Sequence, residues 1–257
     1  TDRNDLLVHG EQPVAPEAEE KYLNWIRQRA EHIPLQQLTG EQDFMGLTFS
    51  VNEHVLIPRQ DTEILVEEVL KELHDGMRVL DMCTGSGCIL LSLLHYSNDC
   101  EGLGVDLSAE ALEVAGRNVL KVLTPEKAEH AHFLQSDLFE KVEGKFEIIV
   151  SNPPYIASAE VEKLMPEVRD HEPRMALDGT EDGLYFYRRI IEEAGKHLVS
   201  SGMLFFEIGY DQGQAVSELM RTEGYCEVQV VQDYAGLDRV VFGTYVTVQP
   251  APFAKSR

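Results

Sequence analysis

The chain has 257 residues, and 45 acidic against 22 basic side chains leave a formal charge of −23 at pH 7. A chain of this length, 43% apolar, buries roughly 70–75% of its unfolded surface, which excludes a disordered protein. The charge opposes close contact with a polyanion, because nucleic-acid affinity comes largely from Lys and Arg neutralising phosphates.

Thr1-Asp2-Arg3-Asn4-Asp5 lacks the charged-then-apolar layout of a signal peptide, and no stretch approaches ~18 uninterrupted apolar residues. A cytoplasmic protein with no membrane anchor is expected. The chain starts without a methionine, so further residues are expected upstream of Thr1. Cys83, Cys88, Cys100 and Cys226 contain no CxxC pair and read as free thiols of a reduced compartment.

Tyr22, Leu23, Trp25, Ile26 and Ala30 recur at helical spacing between Glu17 and His32, an amphipathic helix stopped before Pro34. From Phe44 to Ile57 the alternation of Leu47, Phe49 and Val51 with polar residues predicts a hairpin turning at Asn52-Glu53-His54. The expected domains are therefore a partial N-terminal helical domain over 1–43, a hairpin linker over 44–60 and a main domain over 61–257. The main domain opens on a helix from Asp61 to about His74, with Asp61-Thr62-Glu63 as capping residues.

Beyond Gly76, short apolar runs alternate with helical ones. Strands are predicted at 78–81, 103–106, 132–134, 146–150, 203–208, 226–231 and 239–246, and helices at 88–94, 109–122, 186–198 and 215–221. Repeated strand-helix-strand units imply an α/β fold with a doubly wound, mostly parallel sheet. The last two strands, with no helix between them, predict an antiparallel end pair. The stretch 157–183 is long for a connection, as functional loops often are.

Asp81-Met82-Cys83-Thr84-Gly85-Ser86-Gly87 joins the first strand of this sheet to a helix, at the carboxyl edge where open α/β sheets bind ligands. Asp106 ends the next strand 25 residues after Asp81, near the roughly 20-residue offset at which an acid reaches adenosine ribose hydroxyls. Leu90 stands where a dinucleotide fingerprint has its third glycine, and no Lys-Ser/Thr follows the turn as in a Walker loop. Taken alone, the segment also reads as a tight turn with Asp106 capping the following helix.

Ser151-Asn152-Pro153-Pro154-Tyr155 follows the apolar strand Ile148-Ile149-Val150 and falls at the same sheet edge. A planar NH2 group has two N–H donors, for which the Asn152 side-chain oxygen and the Pro153 carbonyl are acceptors. The prolines stiffen the segment, and Tyr155 offers a flat face. Held this way, the nitrogen is oriented for attack, and orientation is worth up to roughly 7–11 kcal/mol.

Asp81–Gly87, Asp106 and Asn152–Tyr155 resemble the class I S-adenosylmethionine-dependent amino-group methyltransferases, with their Rossmann-like seven-stranded sheet. Within them, Leu38-Thr39-Gly40, Phe44, Ile57-Pro58-Arg59-Gln60-Asp61-Thr62-Glu63 and Ser136-Asp137 resemble the PrmC (HemK) family. That family methylates the glutamine side-chain nitrogen in the Gly-Gly-Gln loop of peptide chain release factors. The likeness runs from about Leu6 to Tyr245, although the family's N-terminal helical domain is longer than what precedes Gly40. It implies that Asp81, Cys83, Thr84, Gly85, Ser86 and Gly87 hold the methionine part of S-adenosylmethionine and Asp106 the ribose, with Asp137 and Leu138 flanking the adenine. Asn152, Pro153, Pro154 and Tyr155 are implied to hold the glutamine amide, Asn152 also touching the cofactor. Two positions depart from the family: it usually has Gly at Cys83, and Leu138 stands where an aromatic can stack.

The remaining features carry less. His130 and His132 with Glu129 lack a third well-spaced ligand and read as surface histidines. His171-Glu172 is not expected to act as a base, since water suffices for the amide proton. Arg188-Arg189 is too short for a phosphate track and is expected to pair on a helix surface. Met203-Leu204-Phe205-Phe206 reads as buried strand. The expected function is methylation of a release-factor glutamine without metal or nucleic acid. The alternatives are methylation of an adenine or guanine amino group flipped into the same pocket and a non-catalytic module of the same fold.

Overall fold

The computed structural model describes residues 7–246. The opening segment Thr1–Asp5 and the tail 247–257 of the expected main domain lie outside the described residues. Two helices come first, α1 (Pro16–Ala30) and α2 (Leu35–Thr39), followed by a hairpin of β1 (Glu41–Phe44) and β2 (Leu47–Ser50). Next come α3 (Asp61–Glu72), β3 (Arg78–Met82), α4 (Cys88–Tyr96), β4 (Glu101–Asp106) and α5 (Ala109–Val122). The short α6 (Pro125–Ala128) leads into β5 (Ala131–Gln135) and β6 (Phe146–Ser151). Three single-turn helices follow, α7 (Ser158–Val161), α8 (Pro166–Arg169) and α9 (Arg174–Leu177). The chain closes with α10 (Tyr185–Ala194), β7 (Leu198–Glu207), α11 (Gly213–Thr222), β8 (Tyr225–Gln232) and β9 (Asp238–Tyr245).

The seven-stranded sheet has the order β5-β4-β3-β6-β7-β9-β8. Strands β3 to β7 pair in parallel, and β9 inserts antiparallel between β7 and β8. The expected fold class and antiparallel end pair are both observed. Side-chain alternation sorts the sheet into two cores. Val79, Ile148, Val150, Phe205 and Val240 pack on one face with the side chains of α3 and α4. Leu80, Ile149, Leu204, Phe206 and Val241 pack on the other with α10 and α11. The period-2 switch from one core to the other is the direct expression of strand geometry. Helix α4 buries Cys88 through Leu94 without a break, as expected of a helix apolar on all sides.

The hairpin differs from the sequence expectation. Its turn is Met45-Gly46, with φ of 51° and 71°, and the register pairs Phe44 with Leu47 and Glu41 with Ser50. Two positive φ values define the two-residue turn whose twist suits adjacent strands. Asn52-Glu53-His54, expected to be the turn, instead folds as a side-chain-capped loop in which Asn52 Oδ1 accepts the His54 N–H (3.0 Å). Val55 and Ile57, read as a strand, are buried without pairing in any strand; Val55 packs beside Ala111 and Val114 of α5.

Helix α3 likewise starts differently. Gln60 takes the N-cap position with no side-chain hydrogen bond. Asp61 instead pairs with Arg239 (3.4 Å), and Glu63 Oε1 accepts the Met45 N–H (2.7 Å). The stretch 157–183 is stitched to earlier elements: Arg29 pairs with Glu167, Gln37 Nε2 donates to the His171 carbonyl (2.7 Å), and Arg59 pairs with Glu172. No helix among the described residues is long and apolar enough to cross a membrane.

Candidate active site

The carboxyl ends of β3, β4 and β6 open into a cleft. One wall is the turn after β3. Cys83, Gly85 and Gly87 all have positive φ (64°, 55° and 78°), a run of left-handed residues that curls the backbone back toward the cleft. Gly85 faces open space, with nothing within 4 Å of where a Cβ would stand, so bare backbone meets any ligand. Cys83 keeps a side chain in a conformation that costs an L-residue roughly 1–2 kcal/mol. Burial, reinforced by Asp106 and Asp81, pushes its thiol well above the ordinary range, so it stands in the wall as a neutral group.

Asp106 spans the floor. Its Oδ2 accepts the Gly85 N–H (2.9 Å) and its Oδ1 the Ser108 N–H (2.9 Å). Burial raises its pKa against these backbone donors. The cap of α5 is Ser108, whose Oγ accepts the Ala111 N–H (3.1 Å), and not Asp106, whose carboxylate instead ties two turns together on the cleft wall. Asn118, which the sequence reading missed, holds the same turn from behind: Nδ2 donates to the Ser86 carbonyl (2.9 Å), while Oδ1 accepts the Ser50 N–H (2.7 Å). The hairpin and the glycine turn thus share one buried amide.

Cys83, Thr84, Gly85, Ser86, Asp106, Asp137, Leu138, Asn152 and Pro154 line the cleft, whereas Asp81, Gly87, Pro153 and Tyr155 do not. Asp81 is fully buried behind the turn, where its Oδ2 accepts from Thr84 Oγ1 (2.6 Å) and the Leu90 N–H (3.3 Å). Its Oδ1 has no hydrogen-bond partner. Tyr155 turns away and donates to Glu207 Oε1 (3.2 Å). Gln212 Nε2 donates to the Tyr155 carbonyl (3.0 Å). The opposite walls were not legible as site residues. They comprise His54, Val55, Leu56, Pro58, Arg59 and Thr62, and Pro173, Met175, Ala176 and Asp178.

Burial moves the Asp81 pKa from 3.8 to about 7, against the opposing hydrogen bonds from Thr84 and Leu90. The folded protein therefore holds a proton that the unfolded chain releases, and the associated stability is complete below about pH 4 and lost as pH rises to about 7. Asp81→Asn keeps an oxygen for Thr84 and Leu90 and removes the buried charge. Denaturant unfolding between pH 4 and 7.5 should show wild-type stability falling relative to Asp81→Asn by up to roughly 4 kcal/mol. Parallel pH curves for the two proteins would refute this reading.

The other candidates find structural partners. His130 Nδ1 (2.9 Å) and His132 Nε2 (3.5 Å) both approach Glu101, and no cluster of three metal-ligating side chains occurs among the described residues. Glu172 accepts from Arg59 and from the Ile57 N–H (3.2 Å). Neither it nor His171 lines the cleft. Arg188 pairs with Asp182, and Arg189 Nη1 bonds Asp137 Oδ1 (2.9 Å).

These features fit a cationic, adenosine-bearing cofactor. Among the lining charges, Asp137 is paired with Arg189, Asp178 with Arg174 and Arg59 with Glu172, which leaves Asp106 as the lining carboxylate held by backbone N–H groups alone. Bare backbone at Gly85 and the Asp106 carboxylate stand together at one end, with Leu107 and Leu138 supplying apolar surface.

The family model of the PrmC N-terminal domain matches residues 1–40, and that of the methyltransferase small domain matches 59–168. The release factor glutamine methyltransferase of Clostridium acetobutylicum is 42% identical over 244 residues, 93% of this chain and 85% of its own. That of Moorella thermoacetica is 45% identical over 241 residues, covering 92% and 84%. Among solved structures, a methyltransferase from Pyrococcus furiosus superimposes with a TM-score of 0.58 at 18% identity, over 86% of this chain and 99% of that one, a likeness of fold alone.

Proposed function

Because this chain belongs to the release factor glutamine methyltransferase family, we propose that its cleft transfers a methyl group from S-adenosylmethionine to the side-chain amide nitrogen of the glutamine in the Gly-Gly-Gln loop of a peptide chain release factor. S-adenosylhomocysteine is the product. The observation that carries this reading is the meeting, in one cleft, of the Cys83–Ser86 turn, Asp106 and Asn152.

The cofactor supplies a methyl group made electrophilic by a sulfonium sulfur. The protein's part is to bind and orient. Cys83 to Ser86 lie against the methionine portion, Asp106 accepts from the ribose hydroxyls, and Asp137 and Leu138 border the adenine. An amide nitrogen is a weak nucleophile because its lone pair is delocalised. With an N–H bond accepted by the Asn152 oxygen, the nitrogen is held in one orientation. Such alignment replaces a chance encounter with a near-unimolecular step. Tyr155 serves from behind. Burial and the nearby Glu207 carboxylate push its phenol well above the ordinary range, so it stays a hydrogen-bond donor and anchors the end of the segment.

The charge of −23 supports a protein rather than a nucleic acid as the methyl acceptor, since every phosphate approaching it meets repulsion. Incubating the enzyme with radiolabelled S-adenosylmethionine and purified release factor should label one glutamine. The absence of label, when S-adenosylhomocysteine still raises the melting temperature, would refute the substrate while leaving the cofactor site standing.

A further inference from the structure

Beyond β6 the backbone leaves the sheet through Asn152, Pro153 and Pro154, and Gln212 takes hold of it at Tyr155. Gln212 occupies the N-cap position of α11, half-buried, and its side-chain amide engages three separate segments. Its Oε1 accepts the Gly209 N–H (2.9 Å) at the exit of β7. Its Nε2 donates to the Tyr155 carbonyl (3.0 Å) and to the Gly183 carbonyl (3.4 Å), where the 157–183 stretch ends. Gly183 presses on the same spot: at a φ of 72° its backbone lies so close that a Cβ would stand 2.3 Å from the Tyr155 oxygen. A Cβ on Gly179 would stand 2.9 Å from the Pro154 oxygen. The Ile156 N–H donates to the Leu177 carbonyl (3.0 Å) and the Gly179 N–H to the Ile156 carbonyl (2.8 Å), which laces the two segments together.

Backbone partners fix which way the Gln212 amide lies. A peptide N–H only donates and a peptide carbonyl only accepts. The Gln212 oxygen therefore faces Gly209, and its NH2 group faces Tyr155 and Gly183. The link from Tyr155 back to Asn152 is stiff, because Pro153 and Pro154 have a locked φ and no N–H with which to exchange partners. Both prolines are buried. At the other end, Ser151 is fixed in the sheet and its Oγ donates to the Met82 carbonyl (2.6 Å). Asn152 thus sits on a short rigid span clamped at Ser151 and at Tyr155.

We infer that Gln212 is a positioning residue for methyl transfer: by holding the Tyr155 carbonyl against Gly183 it fixes the far end of the Asn152–Tyr155 span, and the two prolines carry that constraint back to Asn152. The inference rests on the proposed function above and adds to it a residue that does not line the cleft.

Gln212→Met keeps the length of the side chain and removes both donor and acceptor. Its kcat for release-factor methylation should fall about 10- to 100-fold, the scale set by displacing a reacting group by about an ångström. KM for the release factor and S-adenosylhomocysteine affinity should stay within about threefold, because Gln212 lies outside the cleft. Gln212→Glu separates positioning from general loss of structure. When protonated, the introduced acid donates to the Tyr155 carbonyl as the amide does; when ionised, it only accepts and repels that carbonyl. The ratio of its kcat to that of the wild type should therefore climb about threefold or more as the pH falls from 9 to 6. Tyr187, whose hydroxyl reaches Gln212 Oε1 (3.4 Å), stays neutral over this range because burial raises it. The acids nearby, Asp211 beside Gly209 and Glu207 beside Tyr187, are common to both proteins and cancel in the ratio. Wild-type kcat in Gln212→Met would overturn the inference, as would an equal loss of S-adenosylhomocysteine affinity, or a kcat ratio in Gln212→Glu that stays flat with pH. Should Gln212→Met not fold, the pH dependence of Gln212→Glu decides it. The Asn152 side-chain amide proton signals, read by NMR in the S-adenosylhomocysteine complex, should shift in Gln212→Met. Unchanged signals would refute transmission through the prolines. That measurement stands even where wild-type enzyme methylates no release factor, which would refute the proposed function instead.

Discussion

Asn152→Ala is expected to lose methyl transfer to the release factor by about 10³-fold or more in kcat, equivalent to roughly 4 kcal/mol of barrier. The substitution deletes the only side-chain acceptor that the Asn152–Pro154 segment presents to the cleft and leaves the strand before it intact. Pro153 and Pro154 remain buried, so the backbone stays in place and the loss is one of orientation. Binding of S-adenosylhomocysteine should weaken by less than about tenfold, the scale of one neutral hydrogen bond. Isothermal titration alongside single-turnover kinetics separates the two quantities. A rate within tenfold of wild type would remove Asn152 from the substrate site.

Asp106→Ala should show the reverse pattern. The carboxylate holds the Gly85 and Ser108 N–H groups at 2.9 Å each and is assigned the ribose hydroxyls. Charge-assisted hydrogen bonds contribute roughly 1.5–3 kcal/mol apiece, so S-adenosylhomocysteine affinity should fall at least about 100-fold. The same variant also frees Gly85, whose N–H then faces the cleft without its partner. The rise in melting temperature on adding S-adenosylhomocysteine should vanish at concentrations that saturate the wild type. Methylation should recover in part at high S-adenosylmethionine, because Asn152 is untouched. An undiminished thermal shift would refute the ribose assignment.

What the sequence made legible was local. The strand-turn-helix from Arg78 to Tyr96 and the strand-then-proline segment at Asn152 each announce themselves within about a dozen residues, because turn glycines and prolines act on their own backbone. The hairpin was misplaced because Met45 carries a positive φ (51°) that nothing in its side chain advertises, whereas Asn52 looks like a turn residue and spends its carbonyl on a loop. Asn118, Thr62 and Glu207 were hidden for another reason. Each works through partners in other elements: Asn118 touches Ser50 and Ser86, 68 and 32 residues away, and Thr62 meets Asn152 across 90. Only the assembled sheet brings such groups together. The stretch 157–183 was recognised by its length, but its attachment through Glu167, His171 and Glu172 to Arg29, Gln37 and Arg59 depends on two ion pairs and a hydrogen bond that no spacing rule encodes.

The insertion of β9 between β7 and β8 bears on how the protein is made. Translation delivers β7 and β8 first, and they wait with a one-strand gap between them. Until β9 takes its place, both flanks of that gap expose unpaired backbone, a ready template for joining another chain. The same strand brings Arg239, which bonds the Ile208 carbonyl (3.4 Å) and Asp233 (3.1 Å) and pairs with Asp61 at the head of α3. A polypeptide ended before Asp238 would therefore lack the central strand of its antiparallel end and the cation that pairs with Asp61 and Asp233. Completion of the sheet and the pairing of Arg239 with Asp61 and Asp233 thus both depend on β9.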